Sequence, residues 1–133
     1  MIVVDTNVIA YLFIQGARTT QAERVLKADA DWAAPFLWRS EFRSVLALYI
    51  RKGLLSLADT QLIAQEAEAL MRGREYEVSS AQVLNLAAHS PLSTYDCEYV
   101  ALGQDLGVPL VTSDHRLLKA FPATAITMET FAP

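Results

Sequence analysis

The 133-residue sequence predicts an α/β fold, a three-layer α/β/α sandwich around a central parallel sheet of four to five strands. Three observations carry this prediction. Short apolar runs alternate along the chain with longer amphipathic ones, the pattern of repeated strand and helix units. The first run, Ile2 to Val4, reads as buried core throughout, which suits a strand covered on both faces. No repeat, low-complexity stretch or linker interrupts a chain that is 53% hydrophobic, so a single domain over residues 1–133 has the material for a sizeable core.

The elements follow in order. Ile2 to Val4 is the first strand, and Val8 to Phe13 a short helix stopped near Gly16. Thr19 or Thr20 can cap a helix running to about Ala28, and Asp31 to Ala34 forms the second strand. Phe36 to Ile50 carries apolar residues at 38, 42, 45, 46, 49 and 50, the spacing of one helix face, with Gly53 close to its end. Asp59 to Met71 fits another helix, Tyr76 to Ser79 a third strand, and Ala81 to Ala88 a helix ended before Ser90-Pro91. Ser93 to Leu106 is a helix closed by Gly107. Pro109 to Thr112 and Ala125 to Met128 supply the fourth and fifth strands.

Composition excludes several classes of function. The single cysteine, Cys97, cannot form an internal disulfide, and with only His89 and His115 beside it a structural zinc site is not expected. No apolar run is long enough to span a bilayer and no signal-peptide pattern opens the chain, so a cytoplasmic location is expected. Eleven basic against fifteen acidic residues, a net charge of -4, argue against a broad nucleic-acid-binding surface.

The acids sort themselves once they are laid on this frame. In strand-helix-strand units each helix runs antiparallel to the strands, so helix starts lie near strand ends. Asp5 closes the first strand and Asp114 follows the fourth, at the carboxyl rim where open α/β sheets bind ligands. Glu41 near the start of the third helix and Asp96 in the first turn of the helix leading to the fourth strand belong to the same rim. Asp29, Asp31, Glu75, Glu77 and Asp105 fall at the opposite edge, while Glu129 and Glu98 are weaker rim candidates. Four carboxylates on one rim repel one another and call for a cation. Oxygen donors without histidine or thiolate suit a hard divalent ion, Mg²⁺ or Mn²⁺, held by few carboxylates and by substrate phosphate oxygens. Such a site fits phosphodiester hydrolysis, and two ions roughly 3.5–4 Å apart would place attacking and leaving oxygens in line.

Each acid also has a purely structural reading. Asp5 can end a strand and cap the next helix, and Ser113 or Asp114 can cap a helix after the fourth strand. Ser93-Thr-Tyr-Asp96 matches a capping box, and Glu41 can be a solvated partner of Arg39 or Arg43. Thr6 and Asn7 stay open between orienting carboxylates and capping backbone groups locally.

The segments VVDTNVIAYLF, SEFRSVL and LSTYDCEYVALGQDLGVPLVTSDHRLL occur in the order and approximate spacing of PIN-domain ribonucleases, and the chain resembles in particular the VapC toxins of toxin–antitoxin pairs. The resemblance covers nearly the whole length. It implies a Mg²⁺- or Mn²⁺-dependent endoribonuclease, a cytoplasmic location, homodimerisation, and inhibition by a VapB-like antitoxin that occupies the active-site groove. Carried over by position, the family's four acids fall on Asp5, Glu41, Asp96 and Asp114, with Asp5 and Asp96 the surest metal ligands. Thr6, Asn7 and Thr112 supply short polar groups that could orient carboxylates or water. Arg39 and Arg43 share a helix face turned about 200° from Glu41, and with Arg116 they are the candidate RNA or antitoxin contacts.

A mean hydropathy of +0.23 is high for a small monomer. Among Phe13, Trp32, Phe36, Trp38, Tyr49, Leu54 and Leu55, some residues are expected at interfaces with a second copy and an antitoxin. Two other readings remain at this point: a PIN-fold nuclease outside any toxin system, and a non-catalytic RNA- or protein-binding module.

Overall fold

All five expected strands form, and all pair in parallel. In the computed structural model, which describes residues 1–133, the chain runs β1 (Ile2–Val4), α1 (Thr6–Phe13), α2 (Thr19–Ala28), β2 (Trp32–Pro35), α3 (Trp38–Arg51), α4 (Leu57–Met71), β3 (Glu75–Tyr76), α5 (Ser80–Ala88), α6 (Thr94–Leu106), β4 (Leu110–Val111), α7 (His115–Ala120), β5 (Ala125–Ile126) and α8 (Met128–Phe131). The strand order is β3-β2-β1-β4-β5, so the chain leaves β1 in one direction toward β2 and later returns to add β4 on its other side. The point between β1 and β4 is the topological switch, where an open sheet of this kind forms its ligand crevice.

Burial explains the strand sequences. Every residue of β1 and β2 is buried, because helices cover both faces and leave no solvent side to favour polar alternation. On one side α1 packs against α2, α3 and α4; on the other α5 packs on α6, which lies across β1, β2 and β4. Gly103 permits that close approach, since a Cβ there would stand 3.2 Å from both the Val108 carbonyl and the Thr124 methyl. Trp32 and Trp38, two of the apolar residues that could have served an interface, are fully buried instead. Their indole N–H groups donate to the Asp29 carbonyl and to Glu75 Oε2, both at 2.8 Å, which removes the penalty of burying an unpaired donor.

Several boundaries differ from the sequence expectation for local reasons. Neither Thr19 nor Thr20 caps α2: the Ncap position is Arg18, and the Thr19 hydroxyl accepts from the Gly16 N–H and donates to the Tyr11 carbonyl, tying α2 back to α1. Ser56 and Asp59 form a reciprocal capping box that starts α4 two residues before Asp59. The short helices α7 and α8 follow Asp114 and Thr127, each of which accepts from a backbone N–H as Ncap. Gln21 donates to the Ala132 carbonyl at 2.7 Å and fastens the last segment onto α2. No helix is long and apolar enough to cross a membrane.

Candidate active site

Sheet register brings the first two candidate residues together. Val4 pairs with Val111, so the next residues, Asp5 and Thr112, emerge side by side from β1 and β4. The Asp5 N–H donates to the Val111 carbonyl at 3.0 Å, and the Thr112 hydroxyl donates to Asp5 Oδ2 at 2.7 Å. Thr112 is fully buried and also accepts from the Asp114 N–H at 3.0 Å, so one hydroxyl positions both acids.

Asp5 is both a cap and a rim acid, so its two readings describe one residue. Its Oδ1 accepts from the Thr6 N–H at 2.7 Å, starting α1. Burial, reinforced by the neighbouring charges of Glu41 and Asp96 and opposed by the bonds from Thr112 and Thr6, pushes its pKa up to about 6. Asp114 likewise caps α7 by accepting from the Arg116 N–H at 2.9 Å, and the Arg116 guanidinium holds its carboxyl below the usual range.

Glu41 stands in the first turn of α3, since the helix begins at Trp38 rather than Phe36. Its Oε1 is 2.6 Å from the Tyr99 hydroxyl and 3.0 Å from the Thr6 hydroxyl, while those two hydroxyls are 2.6 Å apart. Two hydroxyl hydrogens must serve three contacts, and the shorter distances select a chain in which Thr6 donates to Tyr99 and Tyr99 to Glu41. The Thr6 hydroxyl therefore reaches Glu41 through Tyr99 and bonds no local backbone group. Tyr99 is buried, and burial beside Glu41 raises its phenol well above the usual range, which keeps it a donor. Sequence reasoning missed Tyr99, although its place three residues after Asp96 on one helix puts both on neighbouring faces.

Asp96 resolves the ambiguity of the Ser93-Thr-Tyr-Asp96 segment. The Ser93 hydroxyl accepts from the Asp96 N–H at 3.1 Å, but the Asp96 carboxylate does not return the bond as Asp59 does to Ser56. It is instead 3.4 Å from an Arg116 nitrogen. Its side chain is left to the rim, where the N-terminus of α6 favours its negative charge.

Asp5, Thr6, Asn7, Glu41, Asp96 and Asp114, with Ser44 and Val45, line one cavity of about 460 Å³. Ser44, one turn after Glu41, was not among the expected residues. Of the three candidate arginine contacts only Arg116 reaches the acids. Arg39 is taken up at the far edge of the sheet, donating to Glu75 through Nε and Nη2 at 2.6 and 2.8 Å and to Glu68 at 2.6 Å. Arg43 lines a separate depression between α3 and α4. Glu129 pairs with Arg18 at 2.6 Å and does not line the cavity, and neither does Glu98.

The donor set fits a hard divalent cation, being four carboxylates, hydroxyls and an amide with no nitrogen or sulfur ligand. Asn7 Oδ1 adds a buried acceptor without a partner beside Asp5, to which its Nδ2 donates at a long 3.4 Å. No three of the acids are drawn into a closed cage. Tyr99 donates to Glu41, and one guanidinium, that of Arg116, bridges Asp96 and Asp114, which offsets part of the repulsion among the acids.

Comparison with known proteins identifies the family and the fold. The PIN-domain family model matches residues 2–122. Ribonuclease VapC3 of Pyrobaculum aerophilum is 31% identical over 126 residues, covering 92% of this chain and 95% of that protein. Among solved structures, PAE2754 from Pyrobaculum aerophilum superposes with a TM-score of 0.78 at 23% identity, covering 98% of this chain and 92% of that one. FitAcB from Neisseria gonorrhoeae gives 0.76 at 17%, covering 97% and 99%, and a toxin–antitoxin complex from Klebsiella pneumoniae gives 0.67 at 18%, covering 96% and 98%. With the family model matched across β1 to α7 and a ribonuclease relative aligned along the same length, the chain belongs to the PIN-domain VapC family.

Proposed function

We propose that the protein is a metal-dependent endoribonuclease, the toxin of a toxin–antitoxin pair, and that Asp5, Glu41, Asp96 and Asp114 form its active site. The single observation that carries this reading is that four acids from separate elements line one cavity at the switch point of a PIN-family sheet. Family membership implies a divalent cation, and the all-oxygen donor set favours Mg²⁺ or Mn²⁺. Asp5 and Asp96 would hold it directly, with Glu41 and Asp114 completing the site directly or through water. When bound, such an ion would neutralise charge on the phosphodiester oxygens and lower the pKa of a water, so that it can give up a proton and attack phosphorus. The chain's own contribution is orientation: Thr112 fixes Asp5, the Thr6–Tyr99 chain fixes Glu41, and Ser93 pins the turn that carries Asp96.

The whole chain, residues 1–133, acts in this reading as a single PIN domain, because β5 completes the sheet beyond residue 122 and the last segment is fastened to α2. A cytoplasmic location fits an RNA substrate. The antitoxin reading draws on the Klebsiella pneumoniae complex and on surface shape. The acidic cavity adjoins a second depression at Asn7 and Val45, and that one meets a 500 Å³ apolar pocket at Ile14, Gln15 and Tyr49. Leu54 and Leu62, lining that pocket, are exposed, and with Leu48, Ile50 and Leu57 they leave apolar surface on α3, α4 and the turn between them for an antitoxin segment or a second copy of the chain.

Purified protein freed of any partner should cut single-stranded or loop RNA with Mg²⁺ or Mn²⁺, and Asp96→Asn should abolish cutting. Equal cleavage by the variant would overturn the assignment.

A further inference from the structure

Arg116 is the one cation that touches the acidic cluster. It stands in the first turn of α7, two residues after Asp114, and its side chain is 67% exposed. Its Nη2 lies 2.8 Å from Asp114 Oδ2 and 3.4 Å from Asp96 Oδ2, and its Nε lies 3.3 Å from Asp114 Oδ1. No other side chain holds the guanidinium. The remaining arginines paired to acids are bound elsewhere: Arg18 to Glu129, Arg39 to Glu68 and Glu75, and Arg74 to Asp31.

We propose that Arg116 is an exchangeable cation of the active site: in the free protein its guanidinium bridges Asp96 and Asp114 where a metal ion would bind, and on metal binding it swings out to hold an RNA phosphate. This rests on the nuclease reading and deepens it. A guanidinium and a hard divalent ion compete for the same carboxylate oxygens, and the ion takes the closer, more concentrated charge. Displaced from the acids, Arg116 keeps its backbone place on α7, because the Asp114 side chain caps its N–H independently of the guanidinium. Its long, exposed side chain then stands at the mouth of the cavity, free to make the forked contact with phosphate for which the guanidinium is suited. Bridging the acids in the free state also limits their mutual repulsion before metal arrives.

The exchange is read by titrating Mn²⁺ into the full-length protein by calorimetry, comparing wild type, Arg116→Ala and Arg116→Lys, without RNA. Removing the competing ion pairs should tighten Mn²⁺ binding about fivefold in Arg116→Ala, with Arg116→Lys between the two because a point charge cannot bridge both acids. Binding of a single-stranded RNA oligonucleotide in Ca²⁺ should weaken in Arg116→Ala, and its salt dependence should fall by about one phosphate contact. Mn²⁺ affinity equal to or weaker than wild type in Arg116→Ala, or RNA affinity and salt slope left unchanged, would overturn the proposal. Tighter Mn²⁺ binding with weaker RNA binding but no RNA cleavage by wild type would uphold the exchange and overturn the nuclease reading; unchanged Mn²⁺ affinity with normal cleavage would overturn the exchange alone.

Discussion

The Tyr99 hydroxyl donates to Glu41 Oε1 at 2.6 Å and accepts from Thr6 at the same distance, joining α6, α3 and α1 through one buried phenol. Its position makes Glu41 a carboxylate of fixed orientation rather than a mobile surface acid. Because the donor is neutral and stays protonated, it supports the charge of Glu41 without competing with a cation for it.

Tyr99→Phe therefore separates orientation from folding. The ring still fills its buried place, while Glu41 loses its shortest bond and Thr6 must turn to replace it. Stability should drop by about 1 kcal/mol, and Mn²⁺ affinity or RNA cleavage by about tenfold or more. Thermal melting and metal titration on the same sample distinguish the two losses.

Asp5 gives a pH dependence with a definite sign. Its folded pKa, about 6, is raised above the ordinary 3.8, so between these values the folded state binds more protons than the unfolded one. Ionised Asp5 thus destabilises the metal-free protein fully above pH 6, and the penalty is relieved as pH falls toward 3.8. A shift of this size corresponds to about 3 kcal/mol at neutral pH. Asp5→Asn should raise the melting temperature of the metal-free protein at pH 7 while removing cleavage, since the neutral amide carries no penalty for burying a charge. The stabilisation that Mn²⁺ adds over the metal-free protein should grow as pH rises toward 6 and Asp5 ionises. A metal-free melting temperature that is lower in Asp5→Asn than in wild type at pH 7 would contradict this account.

The rim acids were legible because their placement depends on strand ends and helix starts, which apolar periodicity marks well. Asp5 and Asp114 follow the first and fourth apolar runs directly, and Thr112 comes with them by register. What periodicity does not mark is the partner of each acid. Tyr99 reads as one more core aromatic in α6, since nothing local shows that its hydroxyl ends beside a residue 58 positions away. Arg39 and Arg116 look alike as basic residues, yet one is taken by Glu75 at β3 and the other by the rim acids, a difference set by tertiary packing. The helices α7 and α8 span six and four residues, too few for a periodic pattern.

Arg39 yields a stability prediction without a catalytic one. It donates twice to Glu75, whose side chain is only 7% exposed and also accepts from Trp38, and once to Glu68, joining α3 to β3 and α4. The Arg39 bond holds the Glu75 carboxyl below its ordinary 4.5, so its stabilisation is full above that pH and is lost as pH falls through the depressed value. Arg39→Ala leaves Glu75 without its ion pair and should destabilise the fold by about 2 kcal/mol at pH 7, less at pH 4, with RNA cleavage below the new melting temperature unchanged. Loss of cleavage in a folded variant would return Arg39 to the substrate surface.

The two Ser-x-x-Asp segments provide a matched pair. Ser56 caps α4 and receives the reciprocal bond of Asp59, whereas Ser93 caps α6 while Asp96 faces the cavity. Ser56→Ala and Ser93→Ala each remove an Ncap acceptor and should each lower stability by about 1 kcal/mol. Their effects on metal binding should differ. Ser93 holds the N–H of Asp96 itself, so its loss loosens the turn that carries this proposed ligand and should weaken Mn²⁺ binding several-fold. Ser56 sits at a helix start away from the acidic cavity, and its loss should leave Mn²⁺ affinity as it is. Equal Mn²⁺ affinity in the two variants would mean that Asp96 is positioned by the body of α6 and not by its cap.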